Sequence, residues 1–332
     1  MRIAIPKEIV EAEQRVALVP SLVQELVKLG CTVLVEKNAG TGANYLDDHY
    51  KNVTFYDDKS KMYQDADVIL KVQPPIKNEI SLYKKNSILI SFLFPTVNPD
   101  IVKSMRDCQI TSFAMENIPR ITRAQAMDAL SSQATVSGYK AALLAANYTN
   151  RFIPMLTTAA GTIRPTQVLV IGAGVAGLQA IATMRRLGAI VSAYDIRPST
   201  KEQVESLGAK MINIDVKADA LGGYARELNV DEQNLQKKIL LDALSKTEVV
   251  ITTAQIPGKS APKIITKDML DVMMPGSLVI DIAADSGGNC ELTQRGQSIA
   301  YNNVMIYGPL NLPSMMARDA SNMYAKNIVN FL

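Results

Sequence analysis

The stretch Val168-Leu169-Val170-Ile171-Gly172-Ala173-Gly174-Val175-Ala176-Gly177 constrains this chain more than any other. An apolar run enters a G-x-G-x-x-G turn, a helical pattern follows to Leu187, and Gly188 closes it. A second apolar run, 189–193, then ends at Tyr194-Asp195, with an acid at the strand tip. Strand, glycine turn, helix, strand and acid in that order make the full dinucleotide-binding context, which bare glycines do not. Gly172 permits the tight turn, Gly174 lets the backbone approach a pyrophosphate, and Gly177 lets the helix pack onto the strand. The helix N-terminus that follows offers N–H donors to the phosphates. A carboxylate at Asp195 accepts bonds from ribose hydroxyls and repels a 2′-phosphate, so it favours NAD over NADP. Arg197 is placed either to receive such a phosphate or to lie across an adenine.

The 332 residues suit two domains of ordinary size. Short apolar runs alternate with helical patterns, which predicts α/β architecture with parallel sheets covered on both faces. In the first half, residues 3–5, 32–35, 68–72, 88–93 and 110–114 read as strands, and 20–29 as a helix opened by Pro20 and closed by Gly30. No glycine fingerprint follows the first strand, so this half is the candidate for the non-nucleotide domain. Residues 123–147, rich in Ala, Leu, Met and Gln and free of proline, predict one long joining helix. In the second half the strands are expected at 168–171, 190–193, 211–214, 249–252, 278–281 and 304–307. A helix is expected over 315–332. Residues 215–231 lack periodicity and are long for a loop, which marks either a functional lid or a disordered segment. The expected fold is therefore α/β, two doubly wound Rossmann-like domains joined by a long helix. The domains are 1–130 with about 312–332, and 131–311.

Charge narrows the function. A net charge of +3 with scattered basic residues gives no case for nucleic-acid binding. Three distant cysteines without C-x-x-C read as reduced thiols of a cytosolic compartment. One histidine, His49, in a polar segment leaves no basis for a histidine-based metal site. The N-terminus starts a strand without a signal-peptide pattern. No apolar run reaches the roughly 18 residues that a membrane span requires.

A second motif lies at Pro119-Arg120-Ile121-Thr122-Arg123-Ala124-Gln125-Ala126-Met127-Asp128, followed by Ser131. On a helix starting near Thr122, Gln125, Asp128 and Ser131 share one face, with Arg120 in the loop before it. Arginine, amide, carboxylate and hydroxyl could converge at an interdomain cleft. Spacing alone leaves open whether this is a site or an ordinary polar helix end.

The chain closely resembles domain I, the soluble NAD(H)-binding part of proton-translocating NAD(P) transhydrogenase, whose relatives are the alanine dehydrogenases. The resemblance runs nearly end to end, through Ile3-Ala-Ile-Pro-Lys-Glu8, Arg15-Val-Ala, Pro119-Arg-Ile-Thr-Arg-Ala-Gln125, Thr157-Thr-Ala-Ala-Gly161-Thr, Gly174-Val-Ala-Gly-Leu-Gln, Thr200-Lys-Glu-Gln-Val-Glu-Ser-Leu-Gly208, Gly222-Gly-Tyr224, Ile256-Pro-Gly-Lys259 and Gly287-Gly-Asn-Cys290. It implies that Arg120, Gln125 and Asp128 hold the nicotinamide end of NAD(H), assisted by Ser131 and flanked by Ile121, Thr122, Ala126 and Met127. It implies that Tyr224 belongs to a loop closing over the nucleotide. By the same resemblance Val175, Asp195, Ile196, Arg197, Gly223, Gln236 and Gln255 line the dinucleotide beside Gly172, Gly174 and Gly177. Further implications are a homodimer, an NADP(H)-binding domain III that exchanges hydride with NAD(H), and a transmembrane domain II coupling the exchange to protons. Those partners would lie on separate subunits and would hold this chain on the cytoplasmic face of the inner membrane.

Two alternatives stay in view: an alanine dehydrogenase, and a non-catalytic NAD-binding module. Alanine dehydrogenases use a lysine in a Lys-Val-Lys-Glu-Pro run and a histidine in a Leu-His-Leu run. Here those places hold Gln73, in Lys71-Val72-Gln73-Pro74-Pro75, and Phe94, in Leu93-Phe94-Pro95. The acid–base step of that reaction then has no obvious agent. Arg15 remains, either to pair with a substrate carboxylate or as half of a structural ion pair.

Overall fold

The computed structural model describes residues 1–212, 229–255 and 258–332. Contacts divide the chain into two compact units, Met1–Gln133 with Pro313–Leu332, and Ala134–Leu312.

The first unit holds a parallel sheet of β1 (Arg2–Ile5), β2 (Thr32–Glu36), β3 (Val53–Tyr56), β4 (Val68–Leu70), β5 (Ile88–Ser91) and β6 (Thr111–Ala114). Their spatial order is β3-β2-β1-β4-β5-β6. Successive side chains along a strand point to opposite faces. Ile3, Ile5, Val33, Val35, Val68 and Leu70 accordingly enter one core, while Ala4, Leu34, Ile69 and Leu89 enter another. Burial on both faces is why these strands read as unbroken apolar runs. The connecting helices are α1 (Pro20–Lys28), α2 (Lys59–Asp65), α3 (Lys77–Ile80) and α4 (Pro99–Asp107).

The boundary between the units falls within α5 (Ala129–Tyr148). The second unit opens with a small antiparallel pair, β7 (Leu156–Thr158) and β8 (Gly161–Ile163), and continues as β9 (Gln167–Ile171), α6 (Val175–Arg186), β10 (Ile190–Tyr194), α7 (Lys201–Ser206) and β11 (Lys210–Ile212). After α8 (Val230–Leu244) come β12 (Val249–Thr252), α9 (Lys267–Asp271), β13 (Leu278–Asp281), β14 (Ser298–Tyr301) and β15 (Val304–Tyr307). The sheet order is β11-β10-β9-β12-β13-β15-β14, parallel except for the antiparallel edge strand β14. Again the pleat divides the side chains, with Val168 and Val170 in one core and Leu169 and Ile171 in the other. Both sheets reverse direction once, between β1 and β4 and between β9 and β12. In doubly wound sheets the crevice outside the strand carboxyl ends at that reversal is where ligands bind. Helix α10 (Ala317–Phe331) belongs to the first unit.

The sequence expectation omitted β3, the β7–β8 hairpin and β14. Half-exposed strands carry mixed side chains and lack the apolar run that reveals a central strand. The expected strands over 68–72 and 88–93 end earlier, at Leu70 and Ser91. The part of the expected strand beyond Ile212, and most of the suggested lid, lie outside the described residues.

The single helix expected over 123–147 is corrected. Thr122–Met127 forms a 3-10 turn, Asp128 breaks it at φ −72° and ψ 83°, and α5 starts only at Ala129. Asp128 acts as the α5 cap, its carboxylate accepting the Ser131 N–H at 2.9 Å and the Ser131 hydroxyl at 2.6 Å. Aspartate competes with helical bonding inside a helix and favours such caps. The Ala126 carbonyl, which a continuous helix would use, instead accepts side-chain N–H groups of Asn327 at 2.9 Å and Asn330 at 3.2 Å, both on α10.

Candidate functional site

The β9–α6 turn is built around its glycines. Gly172 sits at φ +96°, a left-handed conformation that favours glycine, and a Cβ there would meet the Thr253 hydroxyl at 2.6 Å. A Cβ on Gly177 would run into the Gly172 carbonyl oxygen, so only glycine lets α6 approach β9 this closely. Gly138 of α5 plays a similar part, since its Cβ would strike the Ala176 carbonyl at the start of α6. Gly174 differs. Its backbone is extended, at φ −77° and ψ −170°, and a Cβ there would meet nothing within 4 Å. Gly174 caps α6 without a side-chain bond to the first-turn N–H groups, which lack intrahelical partners. Missing bulk, uncapped donors and the positive end of a helix dipole form a cradle that suits a pyrophosphate.

Asp195, at the tip of β10, turns its carboxylate back to this turn and accepts the Ala173 N–H at 2.7 Å. Arg197 binds the same carboxylate through its backbone N–H and Nε, both at 2.9 Å, and through Nη2 at 2.7 Å. Arg197 is thus engaged with Asp195, and Ile196 between them packs against the core. Val175 is exposed at the first position of α6. On α8, half-buried Gln236 sets its amide beside the hydroxyl of buried Tyr194, whose pKa is pushed up by that burial. Gln255, after β12, is exposed and donates to the Ile282 carbonyl at 3.3 Å. Gly222, Gly223 and Tyr224, with Ile256 and Pro257, lie outside the described residues.

Two supports escaped sequence reading. The Thr253 hydroxyl donates to the Gly172 carbonyl at 2.9 Å and ties the turn to the end of β12. Asn289, fully buried, exchanges bonds with the Ala254 N–H (2.9 Å) and carbonyl (2.8 Å) and donates to the Pro262 carbonyl at 2.9 Å, fixing the chain after β12. Its only sequence signal was its place in Gly287-Gly-Asn-Cys290.

In the first unit, Arg120, Ile121, Thr122, Gln125 and Ala126 are exposed, while Met127, Asp128 and Ser131 are half-buried. Because α5 begins after Asp128, Gln125 does not share a helical face with Asp128 and Ser131; it lies on the preceding 3-10 turn.

The reversal point of the first sheet is filled by the chain's own charges. Lys71, following β4 and completely buried, sets its ammonium 3.3 Å from Glu8 and 3.2 Å from Glu79. Glu8 also accepts the Val72 N–H, and the Tyr63 hydroxyl donates to Glu79 at 2.9 Å. Burial works against the Lys71 ammonium, yet the two carboxylates outweigh it and raise its pKa. Beside this cluster Arg15 grips Glu13, with Nε–Oε1 at 2.8 Å and Nη2–Oε2 at 2.6 Å, and donates to Gln133 at 2.8 Å. Gln73 donates to Glu13 at 2.7 Å. Phe94 holds φ +46°, stacks on Phe92 with ring centroids 5.7 Å apart, and gives its N–H to Glu116. Of the two readings open for Arg15, the structure has the ion pair.

Fold and site together define a doubly wound α/β protein with a single glycine cradle of dinucleotide type among its described residues. The chain belongs to the alanine dehydrogenase/PNT family: the N-terminal domain model matches residues 4–137 and the C-terminal domain model residues 141–332. It is 46% identical over 343 aligned positions to an NAD(P) transhydrogenase subunit alpha polypeptide of Rhodospirillum rubrum, covering 100% of this chain and 89% of that polypeptide. The crystal structure of transhydrogenase from Sinorhizobium meliloti superposes with a TM-score of 0.90 at 43% identity, covering 100% of this chain and 93% of that one. Alanine dehydrogenase 2 of Staphylococcus aureus is more distant, 29% identical over 97% of this chain and 83% of its own length.

Proposed function

We propose that this chain is the NAD(H)-binding component of a proton-translocating NAD(P) transhydrogenase. The observation that carries the reading is the open cradle at Gly174 beside the Asp195 carboxylate, in a chain whose transhydrogenase relatives match it along its whole length. The α6 N-terminus and Gly174 would hold the pyrophosphate, with Gly172 and Gly177 shaping the turn. Asp195 would hold the adenosine ribose, and Val175, Ile196, Arg197, Gly223, Gln236 and Gln255 would line the dinucleotide. Arg120, Gln125 and Asp128, with Ser131, Ile121, Thr122, Ala126 and Met127, would orient the nicotinamide end, and Tyr224 would close over the nucleotide. When bound, NAD(H) supplies a hydride that passes directly to or from NADP(H) on a partner domain.

Such an exchange needs no proton from this chain, only two nicotinamides oriented at near-contact distance where water is kept out. That requirement fits a chain whose positions for the acid–base residues of an alanine dehydrogenase hold Gln73, bonded to Glu13, and Phe94. No helix among the described residues is long and apolar enough to cross a membrane. In this reading a transmembrane partner domain would couple the exchange to protons. We take the chain to be a homodimer docked through its partner subunits at the cytoplasmic face of the inner membrane. The test is NADH oxidation by an NADP analogue, with and without a purified NADP(H)-binding partner domain. Exchange only in the mixture supports the reading. NADH binding without exchange in the mixture marks a silent module, and alanine-dependent NAD reduction by the isolated chain restores the dehydrogenase.

A further inference from the structure

Asn289 follows β13 and has no exposed surface, yet every polar group of its amide is in use. Oδ1 accepts the Ala254 N–H at 2.9 Å, and Nδ2 donates to the Ala254 carbonyl at 2.8 Å and the Pro262 carbonyl at 2.9 Å. The amide exchanges both bonds with Ala254, as the peptide of a neighbouring strand would, and its second donor reaches Pro262. The turn that carries Asn289 is itself fixed from both sides. Fully buried Asp281 accepts the Ala283 N–H at 3.1 Å and the Cys290 N–H at 2.9 Å, and a Cβ on Gly288 would meet Asp281 Oδ2 at 2.7 Å. Lys263 donates to the Gly287 and Cys290 carbonyls at 2.6 and 3.1 Å. Asn289 is thus a rigid post, and one residue beyond the Ala254 that it grips stands exposed Gln255.

We propose that Asn289 is a positioning residue for the nicotinamide half of NAD(H), acting through Ala254 on Gln255. This rests on the reading of the cradle as an NAD(H) site. A doubly wound sheet of this kind gives one mononucleotide to each half. The glycine turn and Asp195 belong to the half made by β9, β10 and β11, which leaves the carboxyl ends of β12 and β13 to the nicotinamide nucleotide. Thr253 keeps its own bonds, N–H to the Ile171 carbonyl at 2.8 Å and hydroxyl to the Gly172 carbonyl at 2.9 Å, so the cradle stays formed when Asn289 is changed. Loss of Asn289 then mis-sets the ring more than it weakens binding.

The test compares the unmodified chain with Asn289→Ala and Asn289→Asp in NADH titration, thermal unfolding, and hydride exchange with a purified NADP(H)-binding partner domain at saturating NADH. An ionised aspartate keeps the acceptor for the Ala254 N–H but sets a second oxygen against two carbonyls, whereas a protonated one restores a donor. Burial and those carbonyls favour the protonated form. Both variants should hold NADH within about threefold while exchange in the folded protein falls about a hundredfold, the cost of a displacement of about 1 Å. Between about pH 8 and about pH 6 the aspartate variant should regain about tenfold relative to the unmodified chain, a recovery that the alanine variant lacks. If the alanine variant does not fold, the aspartate profile decides alone. A lowered unfolding temperature with normal exchange makes Asn289 structural only and overturns the proposal. Equal losses of affinity and exchange, or an aspartate variant without recovery in acid, overturn it as well while leaving the cradle intact. NADH binding or exchange that is absent with the unmodified chain overturns the functional reading and the proposal together.

Discussion

Glu13 shows how one carboxylate decides behaviour in acid. Burial would raise its pKa, but the bonds and charge of Arg15, with help from Gln73, hold it down at about 2. A group depressed in the folded state contributes stability that is present above its unfolded pKa and lost as pH falls through the folded value. The window runs from about 4.5 down to about 2, and the contribution at neutral pH is about 3 kcal/mol. Glu13→Gln should therefore lower stability by about 2–4 kcal/mol at pH 7 and flatten its fall across that acid window. Urea unfolding at several pH values measures both, and an unchanged acid slope would rule out the pair as its source. The sequence left a structural ion pair open for Arg15 but did not name Glu13 as its partner. The pair itself is local, but the bonds that flank it come from Gln133, 118 positions from Arg15, and Gln73, 60 positions from Glu13.

At the scale of elements, the glycine turn was readable because each of its residues answers a local backbone demand. The same turn separates folding from binding. An alanine at 177 collides with the Gly172 carbonyl, so Gly177→Ala should destabilise the protein by about 3 kcal/mol or more. An alanine at 174 enters open space with backbone angles it can adopt. Gly174→Ala should therefore change stability by less than about 1 kcal/mol while weakening NADH binding about tenfold or more. Thermal unfolding beside NADH titration checks the pair; equal effects of both changes on both readouts would show that the cradle does not face the nucleotide. The 3-10 turn over Thr122–Met127 was illegible for the opposite reason. Its composition is helical, and the Asn327 and Asn330 bonds that end it come from 201 and 204 positions away. On this turn the Gln125→Asn change tests orientation: the amide is kept but shortened. If Gln125 positions the nicotinamide, NADH affinity should hold within a few-fold while hydride exchange with the partner domain falls about a hundredfold, the cost of a displacement of about 1 Å.

Across the whole molecule, one topology is used twice with opposite outcomes. Both sheets reverse direction after the first strand of the set, and both place a crevice at the carboxyl ends of the strands there. In the second unit that place is lined by Gly172, Gly174 and Gly177, and at Gly174 a Cβ would meet open space. In the first it is filled by Lys71, Glu8 and Glu79, with Lys71 wholly buried and bonded. Apolar runs alternating with helical patterns predicted two doubly wound sheets, but glycine spacing could show only where a nucleotide fits, not what closes the other crevice. The consequence is a stoichiometry: one NADH per chain, measured by calorimetric titration, despite two Rossmann-like units. Lys71→Met should not create a second site. It leaves Glu8 and Glu79 without their cation in a buried place, a change that costs about 3–5 kcal/mol and loosens the first unit instead. Titration of the unmodified chain to two equivalents of NADH would refute this account, because the charge cluster would then have to open. A single equivalent, together with an NADH affinity that Lys71→Met leaves intact in its folded fraction, assigns binding to the Gly172–Gly177 cradle rather than to the crevice that Lys71 fills.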